Sequence, residues 1–263
     1  MLENKLKNYL HLHFIVFIWG FTAILGKLIS IDAVPLVWYR MGLAVLFILV
    51  YFLIRKKSFS TDKKGLLKFA LTGIIIALHW VTFFKAIKVS NVSVALVMMS
   101  TGAFFTSLLE PIFFKRKLKL IEILLGLLVI LGLYIIFNFE GRYLEGIIYA
   151  LISSFLSAIF SVLNGLFVKE YKPTVISFYQ LLFGVLGITM YLFFTQSFTI
   201  EFFNLKATDW VFLLILSSFC TAYAFIASVH VMKYITPYTV MLTINLEPIY
   251  SIILALLIWP ESE

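Results

Sequence analysis

The chain has 263 residues, of which 62% are apolar and only 13% are charged, and its mean hydropathy is +1.05. Soluble domains are about 45–50% apolar, and no soluble fold of this length has an interior large enough for so many Phe, Leu and Ile side chains, so the surrounding solvent must be lipid. The net charge of +8 does not indicate nucleic-acid binding, because the basic residues lie in short loops between apolar segments, and the single Cys220 excludes a disulfide framework and a multi-thiolate metal site.

The apolar segments predict nine membrane-spanning helices, because each is close to the length of about 20 residues that a spanning helix needs. The first follows a basic N-terminus and is too long for a cleavable signal peptide, so we expect it to remain as a span. A β-barrel is excluded, because strings such as LIEILLGLLVILGLYIIF show none of the alternation that its strands need. The predicted spans are residues 9–30, 34–54, 66–87, 92–114, 119–138, 143–168, 174–195, 209–230 and 236–259.

The positively charged residues predict the orientation of these spans. Lys and Arg concentrate on one side of the membrane, as in RKK at 55–57 and KRK at 115–117, whereas the loops on the other side hold few of them. Because cytoplasmic loops carry the excess of Lys and Arg, the N-terminus is predicted to be cytoplasmic. We therefore expect a multi-pass membrane protein, with the lipid bilayer as its surroundings.

The sequence also contains an internal repeat. At an offset of 145 residues, FKAIKVSNVSVALVM aligns with VHVMKYITPYTVMLT, and Lys88 falls on Lys233. This pattern divides the chain into residues 1–142, with five predicted spans, and residues 143–263, with four. The first unit crosses the membrane an odd number of times, so the second unit begins on the opposite side and is inserted in the inverted orientation. Secondary transporters have such inverted repeats, and their substrate site lies between the two halves. We predict an all-α bundle with an inverted 5+5 repeat whose tenth helix is missing, which we interpret as truncation of the chain.

Four strings, in order along the chain, carry a family resemblance. They are FIWGFTAILGKL, VPLVWYRMGLAVLFIL with its intramembrane Arg40, NVSVALVMMSTGAFFTSLLEPIFFKRKL, and ITPYTVMLTINLEPIYSIILALL. Across essentially its whole length the chain resembles the EamA-type branch of the drug/metabolite transporter superfamily. The resemblance implies a carrier of two five-helix repeats that moves small organic metabolites, often amino acids and often outward.

Ionisable residues inside spans are costly and are therefore functional candidates. Glu247 lies near the bilayer midplane in the ninth predicted span, and Pro248 directly after it removes a backbone hydrogen bond from the helix. The carboxylate, together with the side chains of Thr243 and Asn245 and the freed carbonyl, would bind an ammonium group or carry a coupling proton. The alternative is a structural glutamate, neutral or paired in the core. Pro248 would also act as a hinge.

The string LEPI occurs twice, at 109–112 and at 246–249, and the two copies are 137 residues apart. The repeat offset is 145 residues, so the two copies do not occupy equivalent positions in the two units. They differ by eight residues, or about 12 Å of helix. Glu110 lies near the cytoplasmic end of its span, where the basic string FKRKL follows and offsets its charge. We predict a structural role for Glu110 and a functional one for Glu247.

Further candidates for the substrate site come from the first, second, third and seventh predicted spans. Arg40 lies about 9 Å below the outer surface, where it would bind a substrate carboxylate, pair with Glu247, or snorkel to the lipid headgroups. His79 would relay protons, or alternatively form a hydrogen bond in the core. The remaining candidates are Trp19, Trp80, Tyr179 and Gln180.

These features predict a secondary transporter of the bacterial inner membrane that works by alternating access. The resemblance implies that it exports a small organic metabolite, with an amino acid as the leading candidate. No cofactor is expected beyond coupling protons, and the protein would act as a monomer or homodimer. The sequence contains no HExxH, GxSxG or GxxxxGK signature, so no enzymatic activity is expected. Two alternatives stay open: an intramembrane lipid-modifying enzyme with Glu247 and His79 as acid and base, and a passive channel or scaffold subunit.

Overall fold

The computed structural model describes residues 2–258 apart from 119, 122, 123, 126, 127, 129, 130, 133, 134 and 136–140. The chain is helical throughout this part and none of its described residues lies in a strand, which confirms the predicted all-α fold class. The described α-helices are α1 (Leu2–Leu28), α2 (Ala33–Ile54), α3 (Lys63–Val89), α4 (Val92–Met99), α5 (Gly102–Phe114), α6 (Leu144–Phe167), α7 (Pro173–Phe194), α8 (Ile200–Phe203), α9 (Ala207–Ser217), α10 (Ala224–Val231), α11 (Pro237–Ile244) and α12 (Glu247–Ile258).

Most of the predicted spans correspond to described helices, so the protein is a multi-pass membrane protein. The fifth predicted span, residues 119–138, contains most of the positions that lie outside the described residues. The ninth forms two helices, α11 and α12, and the total of nine spans stays a prediction. Seven described segments are long and apolar enough to cross a membrane: Leu6–Leu28, Ala33–Ile54, Lys63–Val89, Val92–Phe114, Leu144–Phe167, Pro173–Phe194 and Ala207–Val231.

Polar side chains explain where two of these helices begin. At the start of α3 the Asp62 carboxylate accepts a hydrogen bond from the Gly65 N–H at 2.9 Å, and at the start of α4 Asn91 accepts one from the Val94 N–H at 2.8 Å. The Tyr171 hydroxyl also donates to Asp62, at 3.0 Å. The Gly65 N–H, and after it the Tyr171 hydroxyl, hold the pKa of Asp62 below its usual value, so this cap is charged at neutral pH.

Two predicted spans are broken at matching places. Helices α4 and α5 are separated at Ser100–Thr101, and helices α11 and α12 at Asn245–Leu246. The second break lies 145 residues after the first, the same offset as in the sequence repeat. The breaks also contact each other, because the Asn245 amide, in the orientation that satisfies both of its ends, donates to the Ser100 carbonyl at 3.2 Å. The division of the chain into units at residue 142 stays a prediction.

Helix α3 packs against α6 and α7 in the middle of the described bundle. Its backbone comes closest to α7 where Gly73 faces Gly184. A Cβ on Gly73 would lie 2.3 Å from the Gln180 carbonyl oxygen, and a Cβ on Gly184 would lie 2.8 Å from the Gly73 carbonyl oxygen. Any larger residue at either position would push the two helices apart. This close approach fixes the position of α3, which carries His79 and Trp80.

Polar contacts hold the helices together at both ends of the bundle. At one end the carboxylate of Asp209, which is 2% exposed, accepts from the backbone N–H of Ser30 at 2.7 Å and from its hydroxyl at 2.6 Å. At the other end Lys68 of α3 forms an ion pair of 2.8 Å with Glu170, in the loop between α6 and α7. The first contact joins α9 to the loop between α1 and α2. Both ends therefore link elements that are distant in sequence.

Candidate functional site

The interior of the bundle contains a cavity of about 690 Å³, a figure that includes space open to solvent. Helices α1, α2, α3, α4, α6, α10, α11 and α12 contribute to its wall, which is mainly apolar. A mainly apolar cavity with a few convergent polar groups is typical of a small-molecule site. The aromatic side chains that line it are Trp19, Trp80, Phe83, Phe160 and Phe225, and the polar ones are Thr22, Arg40, His79, Ser157, Ser161, Asn164, Ser228 and Glu247.

Arg40 on α2 is held in place by several contacts at the wall of this cavity. Its side chain is 1% exposed, its guanidinium carbon lies 4.0 Å from the centre of the Trp80 ring, and its Nε donates to the Thr221 hydroxyl at 2.6 Å. Its Nη1 has no hydrogen-bond partner among the described residues. The burial and stacking show that the side chain points into the bundle and does not snorkel to the headgroups. A guanidinium with an unused donor at a cavity wall is suited to bind an anionic group.

A π-helical segment, Ser218–Tyr223, lies between α9 and α10 and positions partners for the cavity residues. Its Thr221 hydroxyl donates to the carbonyl five residues earlier at 2.8 Å while accepting from Arg40. The Cys220 carbonyl in the same segment accepts from the Trp19 indole N–H at 3.0 Å. A π segment is a single-turn insertion that is frequent at functional sites. Here it joins α1 and α2 to the wall formed by α9 and α10.

Glu247 is the first residue of α12 and lines the same cavity as Arg40. The N-terminus of a helix favours negative charge, because its first N–H groups are not used within the helix. Helix α12 is held against α1 by the Ser251 hydroxyl, which donates to the Gly20 carbonyl at 2.6 Å. Glu247 and Arg40 interact electrostatically, and in the described part of the chain no ion pair within 4.0 Å joins them.

His79 both lines the cavity and forms hydrogen bonds within the core. Its Nδ1 lies 2.9 Å from the Ser153 carbonyl oxygen. Nδ1 also lies 2.8 Å from the Ser153 hydroxyl oxygen, and in the tautomer with a proton on Nδ1 the imidazole donates to the carbonyl. The Ser153 hydroxyl donates in return to the His79 carbonyl at 2.8 Å. The imidazole is therefore anchored to α6 through Nδ1, which leaves Nε2 for other contacts.

Four residues that the sequence proposed for the site lie outside the cavity lining. Tyr179 stacks with aromatic rings of α3 and α7. Gln180 is fully buried and donates to the Asn164 side-chain carbonyl at 2.7 Å, so it contacts the site through a residue that does line the cavity. The Thr243 hydroxyl donates to the carbonyl four residues earlier, and Asn245 joins the two helix breaks. Their place in substrate binding stays a prediction.

The cavity also contains polar residues that the sequence analysis did not select. Ser157 and Ser161 lie on α6, Thr22 on α1 and Ser228 on α10. Small hydroxyl residues are common wherever two membrane helices pack closely. Their presence in a span is therefore no signal of a cavity. Only the fold distinguishes the ones that face it.

Pro248 lies in the first turn of α12 and not in the middle of a continuous helix. The helix break is at Asn245–Leu246, ahead of the proline. Proline is favoured in a first turn, because its missing N–H is not needed there. Pro248 therefore marks the start of the second half of a broken span, and its role as a hinge stays a prediction.

Glu110, the other glutamate of the LEPI strings, has two partners at the end of α5. The residue is 4% exposed, and its carboxylate accepts from the Arg116 Nε at 3.2 Å and from the backbone N–H of Tyr238 at 2.7 Å. Tyr238 lies in the first turn of α11. Glu110 therefore caps one broken span from the end of the other, and Arg116 offsets its charge; its structural role stays a prediction.

We expect Glu110→Ala to lower the free energy of unfolding by about 1–2 kcal/mol, because α11 loses a charged cap and Arg116 loses its carboxylate. The thermal midpoint of the purified protein in detergent measures this loss. Glu110→Gln keeps an oxygen that accepts from Tyr238, so it should cost less than alanine. Equal stability of Glu110→Ala and the unchanged protein would contradict this assignment.

A multi-pass helical bundle with a mainly apolar cavity beside two broken helices is the architecture of a membrane transporter. The chain belongs to the EamA-like transporter family, whose match covers residues 7–138 and 144–262. The resemblance stated from the sequence is confirmed, and the family is one of membrane transporters.

Two bacterial proteins and a solved structure are similar to the chain. A Bacillus subtilis (strain 168) protein named "Uncharacterized transporter YxxF" is 21% identical over 90% of this chain and 77% of its own length. A Clostridium kluyveri protein named "Uncharacterized transporter" is 26% identical over 80% of this chain and 69% of its own length. A solved crystal structure matches with a TM-score of 0.74 at 12% identity, covering 98% of this chain and 91% of that one. At that identity the structural match shows the fold alone.

Proposed function

We propose that the protein is a secondary transporter of small zwitterionic metabolites, with amino acids as the leading class. The observation that carries the proposal is that Arg40 and Glu247 line one cavity. A guanidinium binds a carboxylate through two parallel hydrogen bonds, and a carboxylate binds an ammonium group. Trp19 and Trp80 in the wall would contact an apolar side chain. One cation and one anion facing a shared space are complementary to a zwitterion.

Alternating access is the mechanism that we propose for this site. Transporters commonly place their substrate between broken helices, because the ends of half-helices carry unused N–H and carbonyl groups. Glu247 begins such a half-helix. The break just before it contacts the break between α4 and α5 through the hydrogen bond from Asn245 to Ser100. Protonation of Glu247 would couple movement of the cargo to the proton gradient.

The membrane and direction of transport are also part of the proposal. The bacterial relatives favour a bacterial plasma membrane, and the distribution of Lys and Arg favours a cytoplasmic N-terminus. The family resemblance favours export. In this orientation Arg40 would lie in the outer half of the membrane.

Flux in reconstituted vesicles tests the proposal. Labelled amino acids are screened with and without a pH gradient, and each active one is compared with the amine and the carboxylic acid that share its side chain. We expect saturable, gradient-dependent flux of the zwitterion, and at least tenfold weaker competition from each single-charge analogue. Flux of all three that does not saturate would support a passive channel. Preference for an analogue with one charge would contradict the zwitterion.

A further inference from the structure

A second cavity lies between α1, α2, the start of α7, the π-helical segment Ser218–Tyr223 and α10. It holds about 1280 Å³ of empty space, including space open to the surroundings. We call it the lateral cleft. None of the residues that line it belongs to α3 or α6, which contribute to the central cavity. It is therefore a separate feature from the proposed cargo site.

The lateral cleft has the depth of one membrane leaflet. Along the span Ala207–Val231 it extends from Ser218 to His230, which is about 18 Å at 1.5 Å per residue. One leaflet of a bilayer has about half of the 30 Å hydrocarbon thickness. Ser218 lies near the middle of the span and His230 near its end. The cleft therefore runs from the bilayer centre to one surface.

Polarity changes along the lateral cleft in the same direction. Its deeper part is lined by apolar side chains such as Phe47, Ile48 and Ala222, and Ile226 continues the apolar lining toward the surface. Its outer end is lined by Lys57, which follows α2, and by Lys172, which directly precedes α7. An apolar groove that ends in cationic groups at the headgroup level is complementary to a phospholipid with a negative charge.

The basic end of the cleft keeps its positive charge. No Asp or Glu is among the described residues that line it. The nearest acid along the chain from Lys172 is Glu170, which is paired with Lys68 at 2.8 Å. The Lys57 ammonium donates to the neutral Tyr51 hydroxyl at 2.8 Å and keeps its remaining donors. The start of α7 adds the partial positive charge of a 22-residue helix.

We propose that the lateral cleft binds an anionic phospholipid of the leaflet that faces Lys57 and Lys172. The phosphate lies at the two lysines, and an acyl chain lies along Phe47 and Ile226. The bound lipid also contacts Tyr223 in the π-helical segment, which donates or accepts a 3.0 Å hydrogen bond with His11 across the cleft. This site is independent of the cargo and of the direction of transport.

Native mass spectrometry of the full chain, purified in detergent, tests the lipid site. Phosphatidylglycerol and phosphatidylcholine with identical acyl chains are added at equal concentration. We expect the protein to retain one phosphatidylglycerol at least fivefold more than phosphatidylcholine. The variant Lys57→Gln/Lys172→Gln should lose this preference. Lys63→Gln/Lys64→Gln removes the same charge from exposed lysines outside the cleft and should keep it.

A second variant tests the acyl-chain part of the cleft with its charges intact. Ile226→Trp fills the groove, so we expect at least a fivefold loss of phosphatidylglycerol while thermal stability without added lipid stays unchanged. Equal retention of the two lipids by the unchanged protein would overturn the proposal. The proposal would also be overturned if Lys63→Gln/Lys64→Gln and Lys57→Gln/Lys172→Gln reduced the preference for phosphatidylglycerol equally. If inorganic phosphate displaces the lipid at equal concentration, the cleft is a phosphate site and not a lipid site.

Discussion

Replacing Arg40 by glutamine is expected to lower the transport efficiency for a zwitterionic substrate by at least about 30-fold. Loss of one partner from a buried, hydrogen-bonded charge pair costs about 2–5 kcal/mol, and 2 kcal/mol corresponds to about that factor. In the structure the guanidinium is 1% exposed and stacked on Trp80, so no solvent replaces the lost contact. Initial rates of flux in vesicles, at matched amounts of folded protein, measure the change.

A matched substrate pair separates a binding role of Arg40 from a structural one. The amine that lacks the carboxylate cannot use the guanidinium, so Arg40→Gln should change its weak transport or competition little. Arg40→Lys keeps the charge but loses the planar stack on Trp80 and the Nε hydrogen bond to Thr221. Its transport of the zwitterion should lie between that of the unchanged protein and that of Arg40→Gln. An equal loss for the zwitterion and the amine would show that Arg40 only maintains the fold.

The hydropathy of the sequence predicted most of the fold to within a few residues. Predicted segments 34–54 and 174–195 form helices Ala33–Ile54 and Pro173–Phe194. Hydropathy succeeds here because lipid imposes a minimum apolar length on every span. Hydropathy does not indicate which backbone hydrogen bonds form inside a span. The π-helical segment Ser218–Tyr223 contains neither Gly nor Pro, so nothing in the sequence marked it.

The broken helices were predicted only in part. Pro248 correctly indicated that the ninth span is interrupted, but the interruption lies before it, at Asn245–Leu246. The break at Ser100–Thr101 has no proline beside it, and only the repeat offset of 145 residues relates the two positions. The repeat offset therefore relates the two breaks to each other, but the first one was not predicted from the sequence.

Charge was the clearest signal in the sequence for residues of the candidate site, although the uncharged candidates Trp19, His79 and Trp80 also line the cavity. Charge in an apolar span selected Arg40 and Glu247, which do line one cavity, because an ionised group that faced lipid would be too costly. For an uncharged residue, the rotation of its helix about the helix axis decides whether the side chain faces the cavity. Hydropathy predicts this rotation poorly when both the lipid-facing and the core-facing sides of the helix are apolar. Tyr179 and Gln180 therefore point at neighbouring helices, while Ser157 faces the cavity.

Glu247→Gln is expected to abolish transport that depends on a pH gradient while the protein still inserts and folds. Glutamine has nearly the shape of glutamate but carries no charge to bind an ammonium group and no proton to couple. The loss should exceed tenfold, because the carboxylate contacts the cavity and interacts with Arg40 there. Glu247→Asp keeps the charge on a shorter side chain and should retain part of the flux.

Glu110→Gln is the matched control for this experiment, because Glu110 occurs in the same LEPI string and also precedes a proline. Its carboxylate binds Arg116 and the Tyr238 N–H at the end of α5 and is not part of the cavity wall. Glu110→Gln should therefore lower the thermal midpoint but leave the flux per folded molecule within about twofold, since the contacts it weakens stabilise the helices and do not reach the cavity. Glu247→Gln should show the opposite pattern. If flux survives in Glu247→Gln, or if both variants lose it equally, Glu247 has no specific role in transport.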